Sequence, residues 1–246
     1  MRSSTVRAIA VSNIPIVRDG DNLAEMILEN IQLEDGDIVV ITSKIVSKAE
    51  GRLVKPADVT VSAHAKEIVK RNGFDPIHVE LALRESVEIV REEGVLITET
   101  KSGLVCNFSG VDKSNAPNDE FVLLPINPDK SAQSILDNLT KATGLRLAVI
   151  ISDTQGRPWR KGSINVAIGC AGINAFKYNQ GKKDLRGRVL KRSTICQIDE
   201  IAALVEPLMG QANESIPVVI VRGYDYSEGE ERASAINRQH EDDLFR

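Results

Sequence analysis

Asp112, in Asn107-Phe-Ser-Gly-Val-Asp-Lys-Ser-Asn115, and Asp153, in Ile150-Ile-Ser-Asp-Thr-Gln-Gly-Arg-Pro-Trp-Arg160, each follow an apolar run and stand beside hydroxyl or amide side chains. Carboxylate, hydroxyl and carbonyl oxygens are what hard divalent cations prefer as ligands. Asp153 and Thr154 can offer a carboxylate and a hydroxyl from one loop, and Asp112 a second carboxylate from a distant segment. Arg157, Arg160 and Lys161 follow, and a planar guanidinium matches phosphate or carboxylate oxygens bidentately. A cation gripping a polyphosphate is the chemistry this combination points to, so the chain reads as a nucleotide-using enzyme. Lys44 and Lys48, four apart, share one face of a helix and can both reach phosphate oxygens. Trp159 is the only tryptophan; it packs, or stacks on a planar ring beside the arginines. Taken singly, each of these has a plainer reading: aspartates in polar loops cap turns and helices, and isolated lysines and arginines are solvated.

The common nucleotide cradles are absent. No GxxxxGK[ST] loop and no GxGxxG fingerprint follows an apolar run. His64, His78 and His240 are scattered and pair into neither a zinc site nor a nucleophile triad. Three cysteines, Cys106, Cys170 and Cys196, are odd in number and far apart, which fits reduced core thiols rather than a disulfide framework. The 246 residues are 42% hydrophobic and 27% charged, with a net charge of -4, so nothing draws the whole molecule to nucleic acid or an anionic membrane. No signal-peptide core and no apolar run of membrane-spanning length is present. A cytoplasmic protein is expected.

The elements that must position these residues alternate imperfectly between strand and helix. Val6 to Val11 reads as a strand, followed by a helix capped by Asp21 with Leu23, Met26, Ile27 and Ile31 on one face. Ile38 to Ile41 is a buried strand that delivers Thr42, Ser43 and Lys44 to its carboxyl end, where α/β proteins place ligand contacts. Ser62 to Arg71 is a helix, and Asp75-Pro76 starts another running to about Arg91. A hairpin over Val95 to Phe108 turns at Lys101-Ser-Gly103. A helix from Ser131 to Thr143 precedes the strand Leu147 to Ile151, which runs into the Asp153 loop. Small residues over Gly162 to Gly172 let a backbone or a ligand approach closely. Asp199 caps a helix closed by Gly210, Val218 to Val221 is a last strand, and the tail from Glu228 is a solvated helix or a frayed end. A mixed α/β (α+β) fold of two intimately packed lobes follows, as one domain over residues 1–246.

Several motifs in order resemble the coenzyme F-420 gamma-glutamyl ligase family. They are Val111-Asp-Lys-Ser-Asn-Ala-Pro117, Leu124-Pro with Pro128-Asp-Lys-Ser-Ala132, the Ser-Asp-Thr-Gln-Gly-Arg-Pro-Trp-Arg160 segment with Val166-Ala-Ile-Gly169 and Ala171-Gly172, and Ile198-Asp-Glu-Ile-Ala202 with Leu208-Met-Gly210. Ile14-Pro15 and Thr42-Ser-Lys-Ile-Val-Ser-Lys48 fit as well, so the resemblance covers nearly the whole chain. It implies a GTP-dependent ligase that adds L-glutamate to the deazaflavin precursor through an acyl phosphate, releasing GDP and phosphate. It also implies two divalent cations, Mg or Mn, with potassium as a further candidate, and an intertwined homodimer. Carried over by position, Asp112, Asp153 and Thr154 resemble metal ligands, as does Gln211, at a position the family often fills with glutamate. Ile14, Pro15, Ile16, Val17, Ser43, Lys44, Lys48, Asn115, Met209, Gly210, Ala212, Asn213 and Glu214 resemble the GTP contacts. Asp153, Arg157 and Arg160 are the catalytic candidates, the arginines acting on a phosphate or a substrate carboxylate. Asp112 and Asp153 are expected to converge on the same pair of ions. No nitroreductase-like C-terminal domain is expected. Two alternatives stand beside this reading: a non-catalytic deazaflavin or nucleotide-binding module, and an amide ligase using another nucleotide or amino acid.

Overall fold

The computed structural model describes residues 5 to 245. From the N-terminus, β1 (Arg7–Ala10) leads to α1 (Leu23–Leu28), and β2 (Ile38–Thr42) passes directly into α2 (Ser43–Ala49), then β3 (Leu53–Val54). The helices α3 (Ala63–Asn72) and α4 (Pro76–Glu85) precede three short strands, β4 (Ser86–Arg91), β5 (Ile97–Thr100) and β6 (Val105–Asn107). After β7 (Phe121–Val122) and α5 (Pro128–Thr143) come two long strands, β8 (Ala148–Arg157) and β9 (Arg160–Ala171). The chain continues through β10 (Phe176–Tyr178), β11 (Thr194–Cys196), α6 (Gln197–Met209) and β12 (Val218–Arg222). Helices and mixed sheets together make this an α+β arrangement.

The largest sheet has the order β1-β12-β2-β8-β9. β2 and β8 are its parallel pair, and the other neighbours run antiparallel. Its central strands are near-continuous Val/Ile runs because both faces are covered. Val39, Ile41, Val149, Ile151, Val218 and Ile220 point to one side, against Leu23 and Ile27 of α1 and Ala132, Ile135 and Leu139 of α5. Ile38, Val40, Ala148, Ile150, Val219 and Val221 point to the other, against Ile198, Ile201, Ala202 and Val205 of α6. Each Val, Leu or Ile side chain so moved fully out of water contributes about 1.5–3 kcal/mol. Smaller cores lie under α3 and α4, around Ile68, Val79 and Leu96, and beside β7, around Phe121.

Several boundaries differ from expectation for local reasons. Asn22, not Asp21, caps α1 by accepting from Ala24 N, while Asp21 accepts from Arg18 N. The helix begun at Asp75-Pro76 stops at Glu85, because Ser86-Val-Glu-Ile-Val-Arg91 is β-branched and pairs with β5. Asp153 does not lie in a loop: β8 continues through it to Arg157 and pairs with β9. Asp199 sits in the first turn of α6 rather than at its cap and accepts from Ala167 N of β9. The tail forms two short 3-10 turns and is held down where Ala233 N and Ser234 N donate to Asp129. The cap at Asp75 and the turn at residues 101–103 are as the sequence predicts, and Ser62, where a helix is expected to begin, is its cap. Among the described residues no helix is long and apolar enough to cross a membrane.

Candidate active site

The β2–β8 register fixes the centre of the site. Ile41 pairs with Ile151 and Thr42 with Ser152, so the next residues, Ser43 just past the end of β2 and Asp153 midway along β8, arrive side by side. Ser43 Oγ donates to Asp153 Oδ1 at 2.6 Å. On the other flank Thr42 N donates to Pro217 O, which brings the segment between α6 and β12 to the same edge. An extra residue on β9 at Ile168 makes a bulge opposite Ile151 and Ser152, directly beside Asp153. Bulges of this kind recur next to active sites because they re-aim neighbouring side chains.

Asp112 arrives from the second group of elements. Its backbone exchanges both hydrogen bonds with Val122 of β7, and the loop around it turns through left-handed conformations at Ser109 and Asn115. Lys113 N and Ser114 N donate to Asp112 Oδ1, and Ser114 Oγ donates to Oδ2 at 2.6 Å. Lys44 Nζ, from α2, closes an ion pair with Asp112 Oδ2 at 2.7 Å and also donates to Ser114 Oγ. Lys48, one turn on, donates to Asn115 O at 2.7 Å, and Asn115 Nδ2 donates to Ala212 O across the cleft. The shared helical face expected of Lys44 and Lys48 is therefore present in α2.

These groups line one cleft of about 650 Å³. Its walls include Ile14, Pro15, Ile16, Val17, Lys44, Lys48, Asp112, Asn115, Asp153 and Thr154, together with Met209, Gly210, Gln211, Ala212, Asn213 and Glu214. Ser43 lies behind the surface, buried against Asp153. Arg157 and Arg160 are outside it, at the turn of the β8–β9 hairpin. Arg157 is braced on the carbonyls of Lys161 and Gly162, and Arg160 is exposed.

The two aspartates sit in opposite electrostatic settings. Burial would raise Asp112, but hydrogen bonds from Lys44 and Ser114 outweigh it and hold its carboxyl at about 2. Burial pushes Asp153 up to about 6; the Asp112 charge adds to this, and Ser43 and Lys44 only partly offset it. Burial and the neighbouring Lys44 lower Lys48 from the usual amine range. Burial also raises the Cys106 thiol, in the cleft wall, to about 12, which leaves it no nucleophile. All three cysteines are free thiols, two of them buried.

The donor set suits hard divalent cations. Besides the two aspartates it holds the Thr154 hydroxyl, the Gln211 amide and Glu206, whose Oε2 is buried with no hydrogen-bond partner among the described residues. A bare buried carboxylate oxygen is costly, and a cation would satisfy it. Among the described residues no group of three or more His, Cys, Asp or Glu could hold an ion alone. Ions here would draw on hydroxyl and amide oxygens and on the phosphates of a ligand, as magnesium commonly does.

Residues that the motifs did not single out complete the walls. Ser114 clamps Asp112 and Lys44, a role legible only as an Asp-x-Ser turn. His78, set aside among the scattered histidines, stacks on Phe108 with ring centroids 4.1 Å apart and donates from Nε2 to Val111 O. Burial lowers its pKa below the usual imidazole range, so it braces the Asp112 loop as a neutral ring. Glu206 had no sequence signal beyond standing one helical turn before Met209 and Gly210.

One pH effect follows. Because the folded pKa of Asp153 lies above that of a free carboxyl, the folded protein binds the extra proton between about pH 4 and 6, and stability falls as pH rises through that window. Without cations, Asp153→Asn is expected to be more stable than wild type at pH 7 by on the order of 2–3 kcal/mol and to lose that advantage as pH falls from 6 to 4. Denaturant unfolding of both proteins across this range checks it; a pH-independent difference would mean that Asp153 is not held above its ordinary pKa.

The family profile described as F420-0:Gamma-glutamyl ligase matches residues 12–223. The Methanothermobacter thermautotrophicus protein named coenzyme F420:L-glutamate ligase is 41% identical, over 98% of this chain and 99% of its own. Proteins of the same name from Methanopyrus kandleri and Archaeoglobus fulgidus are 43% and 39% identical; the alignments cover 94% and 98% of this chain and 93% and 96% of theirs. With the profile spanning most of the chain and these relatives aligned almost end to end, the chain belongs to the F420-0:gamma-glutamyl ligase family.

Proposed function

We propose that the chain is a GTP-dependent ligase that joins L-glutamate to the deazaflavin coenzyme F-420 precursor, first at the lactyl carboxylate and then through gamma linkages. The precursor carboxylate attacks the terminal phosphorus of GTP, GDP leaves, and an acyl phosphate forms. The glutamate amine then attacks the acyl carbon, loses a proton and expels phosphate, leaving an amide. Lys44 and Lys48 bind phosphate oxygens, residues 14–17, Asn115 and residues 209–214 enclose the nucleotide, and Ser43, buried behind the wall, holds Asp153 instead of touching the nucleotide. Asp112, Asp153, Thr154 and Gln211 would hold two divalent cations, Mg or Mn, which when bound offset the negative charge of triphosphate and attacking carboxylate.

The observation that carries this reading is the meeting in one cleft of Asp112, Lys44 and Asp153, from three distant segments. Arg157 and Arg160, outside that cleft, are assigned to a phosphate or substrate carboxylate reached in an intertwined homodimer. Exposed Trp159 beside Phe245, with centroids 5.2 Å apart, supports a contact surface at the hairpin tip. Light scattering of the purified protein tests the dimer. The activity is tested with GTP, L-glutamate, Mg or Mn and glutamate-free coenzyme: mass increments of one or more glutamyl units are expected, with GDP release that needs both coenzyme and glutamate. GDP release independent of both, or none, overturns the reading, and faster turnover with ATP corrects the nucleotide.

A further inference from the structure

Thr154 and Gln211 meet on one rim of the cleft, and both are neutral donors. Thr154 Oγ1 donates to Asn165 Oδ1 at 3.0 Å and accepts from Gln211 Nε2 at 2.8 Å. The same Gln211 nitrogen is hydrogen-bonded to Glu206 Oε1, from the last turns of α6. With its nitrogen engaged by two oxygens, the amide has its carbonyl oxygen left to offer a cation. Glu206 Oε2 is buried, lacks a hydrogen-bond partner among the described residues, and belongs to a residue that lines the cleft. An ionised carboxylate is not left half satisfied in such a place without a cost.

We infer that Glu206 supplies the anionic charge of the cation position formed by Thr154 and Gln211. One of its oxygens fixes the Gln211 amide, and the other faces the ion or a water bound to it. Outer carboxylates that orient a neutral ligand in this way set metal affinity by ten- to a hundredfold. This rests on the ligase reading, in which two divalent cations bind with nucleotide.

Manganese binding in the presence of GDP, followed by electron paramagnetic resonance, tests it without turnover. Wild type is expected to bind two ions, and Glu206→Gln to keep one and bind the other about tenfold or more weakly. Moving the charge onto the side chain it bonds, in the double variant E206Q/Q211E, is expected to restore both ions, a recovery that a purely structural role for Glu206 would not give. Two ions held by Glu206→Gln at wild-type affinity overturn the inference, as does a loss that the double variant fails to recover. A wild-type protein that binds no manganese with GDP fails the ligase reading instead, so the two failures are distinct.

Discussion

Asp153→Ala is expected to lower ligation by at least about a thousandfold, roughly 4 kcal/mol of transition-state stabilisation, while the protein stays folded. The carboxylate stands midway along β8 beside Ser43 and within the field of Lys44 and Asp112. It is the point at which both halves of the cleft meet, and no neighbour can replace it: Asp112 is committed to Lys44, Ser114 and two backbone N–H groups. The fold should survive because two effects oppose each other. Losing the acceptor leaves the buried Ser43 hydroxyl unpaired, which costs about 1–3 kcal/mol. Removing a buried carboxylate whose pKa is raised to about 6 relieves a comparable penalty. Single-turnover product analysis by mass spectrometry, beside thermal unfolding, measures both. A variant that ligates near the wild-type rate would remove Asp153 from the chemistry.

What the sequence made legible was the part written in local periodicity and turn chemistry. The Val/Ile runs of β2, β8 and β12 and the cap at Asp75 were readable because burial on both faces and side-chain capping leave direct residue signatures. The two aspartates were readable as oxygen ligands by type. Their juxtaposition was expected only through the family resemblance, because it depends on the parallel register of β2 and β8 and on the Asp112–Val122 bridge, neither of which has a local signature. Asp153 looked like a loop residue since polar Ser-Asp-Thr-Gln-Gly follows an apolar run; pairing with β9 across the hairpin keeps those residues extended instead. Glu206 was silent for a similar reason. On α6 it reads as one more solvated charge, and only the fold turns it toward Gln211.

Gly169→Ala is expected to destabilise the protein by about 3 kcal/mol or more, lowering the melting temperature by roughly 6–12 °C. The sequence left open whether the small residues over Gly162 to Gly172 admit a ligand or a backbone, and the packing favours the backbone. A Cβ on Gly169 would lie 2.4 Å from Pro128 O and 2.5 Å from Pro128 C, at the start of α5. Carbonyl atoms in the first turn of a helix cannot swing aside as a side chain can. Moving α5 would also pull Asp129 from Cys170 N and Ala233 N, at 3.0 and 2.8 Å, which tie α5, β9 and the tail together. Gly172 makes a similar approach, 2.6 Å from Leu147 O. Gly156 is the contrast: a Cβ there meets nothing within 4 Å, so Gly156→Ala should change stability by less than about 0.5 kcal/mol. Thermal unfolding of the two alanine variants decides the matter. If Gly169→Ala melts like wild type but binds nucleotide or coenzyme more weakly, the small residues serve a ligand and not the α5–β9 contact.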